Sequence, residues 1–168
     1  MSDSNLAPAG GAASVDSTAR GGDFTATLEI KVSPQSVFDA LITPADLTNW
    51  WTPASGSGTS AGELVFRFGD LRANCHVDEA EPASRVRWTV LLCEPVPDWV
   101  GTNIAFDLTP VEGGGTRLDF RHHGLTSQLE CFEMCSSGWT RHLGSLLTYL
   151  EAGHGNPSNP GTNERDLD

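Results

Sequence analysis

The chain has 168 residues, a mass of 17.9 kDa and a net charge of −12, which suits one domain with a substantial core. Its ten basic residues are scattered, and no apolar run approaches the roughly 20 residues that span a bilayer, so we expect no nucleic-acid or membrane partner. Four cysteines in a chain without export signals predict reduced thiols and a cytoplasmic location.

The two ends of the chain differ in composition from the middle. Residues 1–22 are mainly Ala, Gly, Ser and Asp, with too little apolar surface to offset the entropy of ordering. Residues 153–168 are rich in proline and polar side chains. We therefore predict disordered tails at 1–22 and 153–168 around a folded domain at 23–152.

The folded part opens with a strand and two short helices. The segment DFTATLEIKVS alternates apolar and polar residues, as a strand with one buried face does. Ser33 followed by Pro34, and Thr43 followed by Pro44, are two helix starts in succession. The glycine- and serine-rich loop from Pro53 to Gly62 that follows is a possible gate.

Five further alternating segments follow, separated by short turns: ELVFRFGD, RANCHVDEAEP, RVRWTVLL, GTNIAFDLTP and TRLDFRHHG. Consecutive strands joined in this way are antiparallel. Ser127 with Glu130 resembles a capping box and predicts the start of a long amphipathic helix, which Gly153 ends. The apolar positions of this helix recur at three and four: Phe132, Cys135, Trp139, Leu143, Leu146 and Leu150.

This order of elements predicts an α+β fold. A sheet with one apolar face must be covered, and the long helix is the available cover. We expect a curved antiparallel six-stranded sheet wrapped around the C-terminal helix, with the two short helices after the first strand closing one edge. Such a grip leaves a space between sheet and helix.

Several motifs carry a family resemblance. In order they are VFDALITPADLTNWWT, RVRWTV, WVGTNIAFDLTP, GGTRLDFRHHGL and GWTRHLGSLLTYLEAGHGNP. They resemble bacterial members of the activator of heat-shock protein 90 ATPase homologue family, in the START-like (SRPBCC, Bet v 1-like helix-grip) superfamily. The resemblance implies a cavity that in many relatives holds an apolar small molecule. It also implies a chaperone partner and a role in stress response, because eukaryotic members stimulate the chaperone's ATPase.

Aromatic side chains are the best candidates for the cavity walls. The chain has five tryptophans and seven phenylalanines, and plain core packing competes with ligand contact for each of them. An adjacent pair such as Trp50 and Trp51 does not easily bury both rings, so we expect one at the mouth. The predicted ligand-binding residues are Trp50, Trp51, Phe66, Phe68, Trp88, Trp99, Phe106, Phe120, His122, Cys135, Trp139 and Leu143.

The predicted ligand-binding residues include few polar side chains. Strand parity directs His122 inward, where it is either a neutral histidine tied to one partner or a polar contact for a ligand. A zinc or copper site from His122, Glu130, Cys131 and Cys135 is conceivable, but the second ligand pair of a structural site is missing, so we predict no metal. Cys75 and Cys135 are expected as buried fillers, and Cys93 as partly exposed.

Three functions remain open. The leading hypothesis is a non-enzymatic domain that binds an apolar small molecule and has no cofactor. The first alternative is a co-chaperone that stimulates a chaperone ATPase through its surface. The second is a polyketide cyclase- or hydratase-like enzyme that uses His122 for proton transfer. An exposed edge strand also makes a homodimer possible.

Overall fold

The computed structural model describes residues 23–157, which form an α+β domain. The strands are β1 (Asp23–Ile30), β2 (Ala54–Gly56), β3 (Glu63–Phe68), β4 (Leu71–Glu81), β5 (Arg85–Cys93), β6 (Asn103–Pro110) and β7 (Thr116–Thr126). The helices are α1 (Pro34–Ile42), α2 (Pro44–Trp50) and α3 (Phe132–Ala152), with a 3-10 turn at Pro97–Trp99. Residues 1–22 of the predicted N-terminal tail and 158–168 of the predicted C-terminal tail lie outside the described residues.

The predicted helix-grip architecture is confirmed, with one strand more than expected. The sheet is antiparallel in the order β1-β7-β6-β5-β4-β3-β2, and α3 lies against its apolar face. The additional strand β2 lies inside the segment predicted to be a loop, and it pairs with residues 64–66 of β3. Three residues rich in Ser and Gly are too short for a periodic signal, so tertiary pairing alone makes this segment a strand.

The two short helices begin as predicted. The Ser33 side chain accepts a hydrogen bond from the Ser36 N–H at the start of α1, and proline occupies the first position of both helices. Thr43 makes no side-chain cap bond, so α2 relies on its proline and on the burial of Leu47 and Trp50. In the structure α1 packs against β5 and β6 in the middle of the sheet and α2 against the edge strand β2, so only α2 lies at an edge as predicted.

The predicted start of α3 is wrong. The helix begins at Phe132, five residues after Ser127, and the Cys131 that precedes it makes no side-chain cap bond. The segment between β7 and α3 forms turns instead, stabilised by backbone bonds from Leu129 to Thr126 and from Phe132 to Leu129. A capping box is a local pattern, and here the chain must first cross from the sheet to the helix layer. The predicted end at Gly153 is confirmed by its left-handed φ of 90°.

Register shifts in the strand pairing change which side chains face inward. In the pairing of β4 with β5, Asn74 lies opposite Leu92 and Cys75 opposite Val90, so Leu91 is an extra residue in β5 and the inward parity of β5 changes after Val90. Cys93 is buried as a result, which corrects the expectation that it is partly exposed, while Leu91 is exposed. In β7 a second shift lies opposite the start of β1, where Gly124 has φ of 102°.

The loop between α2 and β3 is anchored at several points. Gly58 lies against the backbone of Ile42, so closely that a Cβ atom would come within 2.1 Å of the Ile42 carbonyl oxygen. The Ala61 N–H donates to the Val77 carbonyl, and the Ser60 hydroxyl accepts from the Ala80 N–H. These contacts argue against a freely moving gate at this position.

The first residues after α3 also contact the domain. The Asn156 N–H donates to the Ser145 hydroxyl, and Gly155 lies against Asn49 and Trp50 of α2.

None of the helices in residues 23–157 is both long enough and apolar enough to cross a membrane.

Candidate functional site

The middle of the grip is filled by aromatic rings. Trp88 and Phe106 have ring centroids 5.2 Å apart, and so do Phe106 and Phe120. Phe120 in turn lies 4.5 Å from Trp139 of α3. These four side chains join the sheet to the helix in a continuous stack with edge-to-face and tilted geometry. The centre is therefore packed core.

A cavity remains at one end of the grip. It has a volume of about 270 Å³ and lies between β3, β4, β5, residues 95–99 and the first half of α3. Its walls are Trp51, Phe66, Phe68, Ala73, Cys75, Val90, Cys93, Pro95, Val96, Trp99, Met134, Cys135, Gly138, Trp139 and His142. Met134 is 63% exposed, which places it at the rim.

The structure brings together half of the predicted site residues. Trp51, Phe66, Phe68, Trp99, Cys135 and Trp139 line the cavity. Trp50, Trp88, Phe106, Phe120, His122 and Leu143 do not line it and are buried in the core. Period-2 patterns identify inward side chains but do not separate cavity walls from packed interior, because both are apolar.

Both rings of the adjacent tryptophan pair are buried, unlike the expectation that one lies at the mouth. Trp51 is only 4% exposed, and its ring stacks on Trp50 with centroids 5.9 Å apart. The Trp50 Nε1–H donates to the Ala40 carbonyl at 2.9 Å, which directs Trp50 towards α1 and leaves Trp51 to face the sheet. Trp51 reaches Phe66, Trp88 and Trp139 and forms the inner wall of the cavity.

Three thiols contribute to the walls. Burial raises the pKa of Cys75 to about 12 and, with a contact from Cys131, that of Cys135 to about 12. Burial also raises the pKa of Cys93. The Trp99 Nε1–H donates to Cys135 Sγ at 3.2 Å. Protonated thiols behave as small apolar groups, so these cysteines extend the apolar surface and are poor nucleophiles.

His122 is a fully hydrogen-bonded core residue. The Trp139 Nε1–H donates to His122 Nδ1 at 3.0 Å, so the proton of the neutral ring is on Nε2. Nε2 then donates to Thr102 Oγ1 at 2.8 Å, and Thr102 donates to the Trp99 carbonyl at 2.6 Å. Burial lowers the pKa of His122 to about 3, which keeps the ring neutral. Neither nitrogen is available to a substrate.

His142 is a cavity residue that the sequence interpretation missed. It is 7% exposed, and its Nδ1 has no hydrogen-bond partner among residues 23–157. Burial, and then the nearby Arg141, lower the pKa of His142 to about 4. A signal existed in the sequence, because His142 follows Trp139 by three positions and therefore shares its face of the helix.

The segment from His122 to Cys135 contains two histidines and two cysteines, but their side chains do not form a metal site. Within residues 23–157, no three His, Cys, Asp or Glu side chains come close enough to hold a metal ion. His122 points into the core, and His123 points outward to Asp23, 2.9 Å away. Although partial burial opposes ionisation, hydrogen bonds from Gly124 and His123 hold the pKa of Asp23 below its usual range.

A larger depression, of about 650 Å³, lies on the opposite face of the sheet. Its charged side chains are paired with one another: Arg87 with Asp107 at 2.9 Å, and Arg121 with Asp23 at 3.9 Å. Thr27 donates to Asp119 at 2.9 Å in the same region. Exposed, mutually paired groups of this kind are typical of a solvated sheet face, so the smaller apolar cavity is the candidate site.

Comparison with known families decides the relationship. Residues 31–151 match the sequence profile described as Activator of Hsp90 ATPase homolog 1-like protein. The chain belongs to this family. Its helix-grip fold is that of the START-like, Bet v 1-like superfamily, as the motifs in the sequence predicted. No curated protein sequence matches the chain.

Solved structures of members and fold relatives agree with this assignment. The solution structure of the Aha1 dimer from Colwellia psychrerythraea is 31% identical, has a TM-score of 0.70, and covers 79% of this chain and 98% of its own. DynU16, from the dynemicin biosynthetic locus, is 22% identical with a TM-score of 0.67, covering 81% of this chain and 49% of its own. CalU16 from Micromonospora echinospora is 17% identical with a TM-score of 0.69, covering 95% and 88%. The last two show similarity of fold alone.

Proposed function

We propose that this family member binds an apolar small molecule in the cavity beneath α3. The observation that carries the proposal is the cavity itself, about 270 Å³ in volume and walled by aromatic rings, aliphatic side chains and protonated thiols. Among residues 23–157, no side chain that lines it carries a formal charge at neutral pH. Apolar, concave sites of this kind are where proteins bind apolar ligands.

A glycine in the middle of α3 supports the proposal. Gly138 lines the cavity, and a Cβ atom at this position would meet nothing within 4 Å. Glycine inside a helix costs about 1 kcal/mol relative to alanine. A side chain added at Gly138 would extend from the border of the cavity into open space, so the glycine leaves room there at the expense of helix stability.

A variant that fills the cavity tests the proposal. Gly138→Leu should weaken binding of the neutral fluorescent probe 1-aminoanthracene about tenfold or more, because a leucine side chain occupies the space the probe needs. The measurement is a titration followed by probe emission, with tryptophan emission as a second signal because Trp51, Trp99 and Trp139 line the cavity.

The matched control is Gly144→Leu, in the same helix. A Cβ atom at Gly144 also meets nothing within 4 Å, but Gly144 does not line the cavity. This variant should bind the probe as the wild type does. Loss of binding in both variants, or in neither, would contradict a site at the cavity, and absence of binding to the wild type would remove the proposed function.

The family assignment favours a second candidate, a surface contact with a chaperone ATPase. It is supported by the family description and by the similarity to the Colwellia Aha1 structure. Hsp90 ATPase turnover measured with and without this protein tests it. A surface role should survive Gly138→Leu, so stimulation that the variant abolishes would argue against it. A homodimer, a cytoplasmic location and a stress-response role remain predictions.

The cyclase-type alternative has lost its main support. It required His122 to exchange a proton with a substrate, and both ring nitrogens are already hydrogen-bonded to Trp139 and Thr102. His122 also does not line the cavity. We therefore do not propose an acid–base role for it.

A further inference from the structure

Polar groups beside the cavity differ in whether their hydrogen bonds are already made. The indole N–H of Trp99 donates to Cys135, and that of Trp139 donates to His122. His142 Nδ1 makes no hydrogen bond within the described part of the chain. Leaving a buried polar atom without a hydrogen-bond partner is unfavourable, so the unpaired Nδ1 atom of His142 beside the cavity requires an explanation.

Burial without a partner is not by itself evidence for a ligand. The Trp88 Nε1 atom is also buried and has no hydrogen-bond partner among residues 23–157, but Trp88 does not line the cavity. His142 combines both properties, because its ring borders the empty space and packs against Trp51, another residue of the cavity wall. A molecule in the cavity therefore lies against this imidazole.

We infer that the ligand is a neutral molecule of one to three rings with one hydrogen-bonding group, and that His142 binds this group. The inference rests on the proposed function and specifies its ligand. The volume of about 270 Å³ exceeds the roughly 150 Å³ that holds benzene and lies near the roughly 300 Å³ lower limit of ordinary ligand pockets.

The composition of the cavity walls argues against a charged ligand. A carboxylate or ammonium in the cavity would lose its hydration, and no ionised partner lines the walls in residues 23–157. Burial of His142 also disfavours the imidazolium form at neutral pH. A neutral imidazole offers one donor and one acceptor, which matches a hydroxyl or carbonyl group on the ligand.

Two compounds of nearly equal shape test the inference. Competition with 1-aminoanthracene should show that 2-naphthol binds the wild type about 3- to 10-fold more tightly than naphthalene. One additional net hydrogen bond changes a dissociation constant by about this factor. In His142→Phe the two compounds should bind equally, because the ring remains and its nitrogens are gone. The anion 2-naphthoate should bind more weakly than either compound to the wild type.

The control variant is His76→Phe, the same replacement on the outer face of β4, where His76 does not line the cavity. It should keep the preference for 2-naphthol. Thermal melting confirms that His142→Phe is folded. A preference that persists in His142→Phe, or tighter binding of 2-naphthoate, overturns this inference alone. Failure of all three compounds to bind the wild type overturns the proposed function as well.

Discussion

Replacing Trp139 with phenylalanine should lower the free energy of unfolding by about 2–5 kcal/mol. Loss of part of the indole from a packed site accounts for about 1–2 kcal/mol. The remaining 1–3 kcal/mol arises because His122 Nδ1 loses the hydrogen bond it accepts from Trp139 Nε1 and becomes a buried, unpaired acceptor. Urea unfolding at neutral pH, with the slope compared between variants, measures the change.

Trp88→Phe is the matched control for this prediction. Trp88 is as deeply buried as Trp139, and it packs on Phe106 in the same stack. Its Nε1 has no hydrogen-bond partner in the part of the chain that the structure describes, so the substitution removes ring volume without removing an observed hydrogen bond. We expect a loss of about 1–2 kcal/mol. Equal losses in the two variants would show that the bond to His122 contributes nothing measurable.

The protein should lose stability steeply as the pH falls below about 6.5. His122 and His142 are buried as neutral rings, and burial lowers the pKa of His122 from 6.5 to about 3 and that of His142 from 6.5 to about 4. Below pH 6.5 the unfolded chain binds a proton at each site that the folded protein does not bind. Stability is therefore fully present above pH 6.5 and falls with decreasing pH.

The expected slope of the free energy of unfolding against pH follows from the number of buried neutral histidines. Each histidine contributes about 1.4 kcal/mol per pH unit, so the pair contributes up to about 3 kcal/mol per unit between pH 6 and 4. Below pH 4 only His122 continues to contribute, until about pH 3. Asp23 has a lowered pKa and adds acid sensitivity only below its ordinary value of 3.8, which lies below the interval from pH 6 to pH 4 in which both histidines contribute.

Urea unfolding at half-unit pH intervals measures how steeply the free energy of unfolding changes with pH. Two variants show which histidine contributes to this slope. His142→Phe should reduce the slope between pH 6 and 4 by about half, because one of the two buried rings no longer titrates. His76→Phe, on the exposed outer face, serves as the control and should leave the slope close to that of the wild type. A wild-type stability that is flat between pH 6.5 and 4 would mean that neither ring is held neutral by burial.

Local patterns predicted most of the fold. The alternation in β1 and the serine-proline start of α1 are local features, and each places a side chain or a cap without reference to distant residues. Where a prediction failed, a distant contact prevailed over a local pattern. The Ser127 box does not start α3, because the chain there has to pass from the sheet layer to the helix layer. β2 exists only because β3 is beside it.

The candidate site was predictable only in part. Sequence parity identified inward residues such as Phe66 and Trp139, and it also directed His122 inward, where the ring is buried as expected. It did not indicate that the stack from Trp88 to Trp139 fills the centre and displaces the open space towards Trp51 and Trp99. Cys93 joins the walls because Leu91 is an extra residue in β5 that shifts the parity of the residues after it, and the alternation of apolar residues in β5 does not indicate this shift.

By itself the sequence determined which residues are apolar, how they alternate and where helices are capped, and these properties define the family and its grip. The tertiary structure decided where the interior is full and where it is empty. Packing depends on the shapes of side chains that meet from distant parts of the chain, such as Trp51, Phe66 and Trp139. A cavity is a failure of those shapes to fill space, so it is a property of the assembled interior rather than of any one segment.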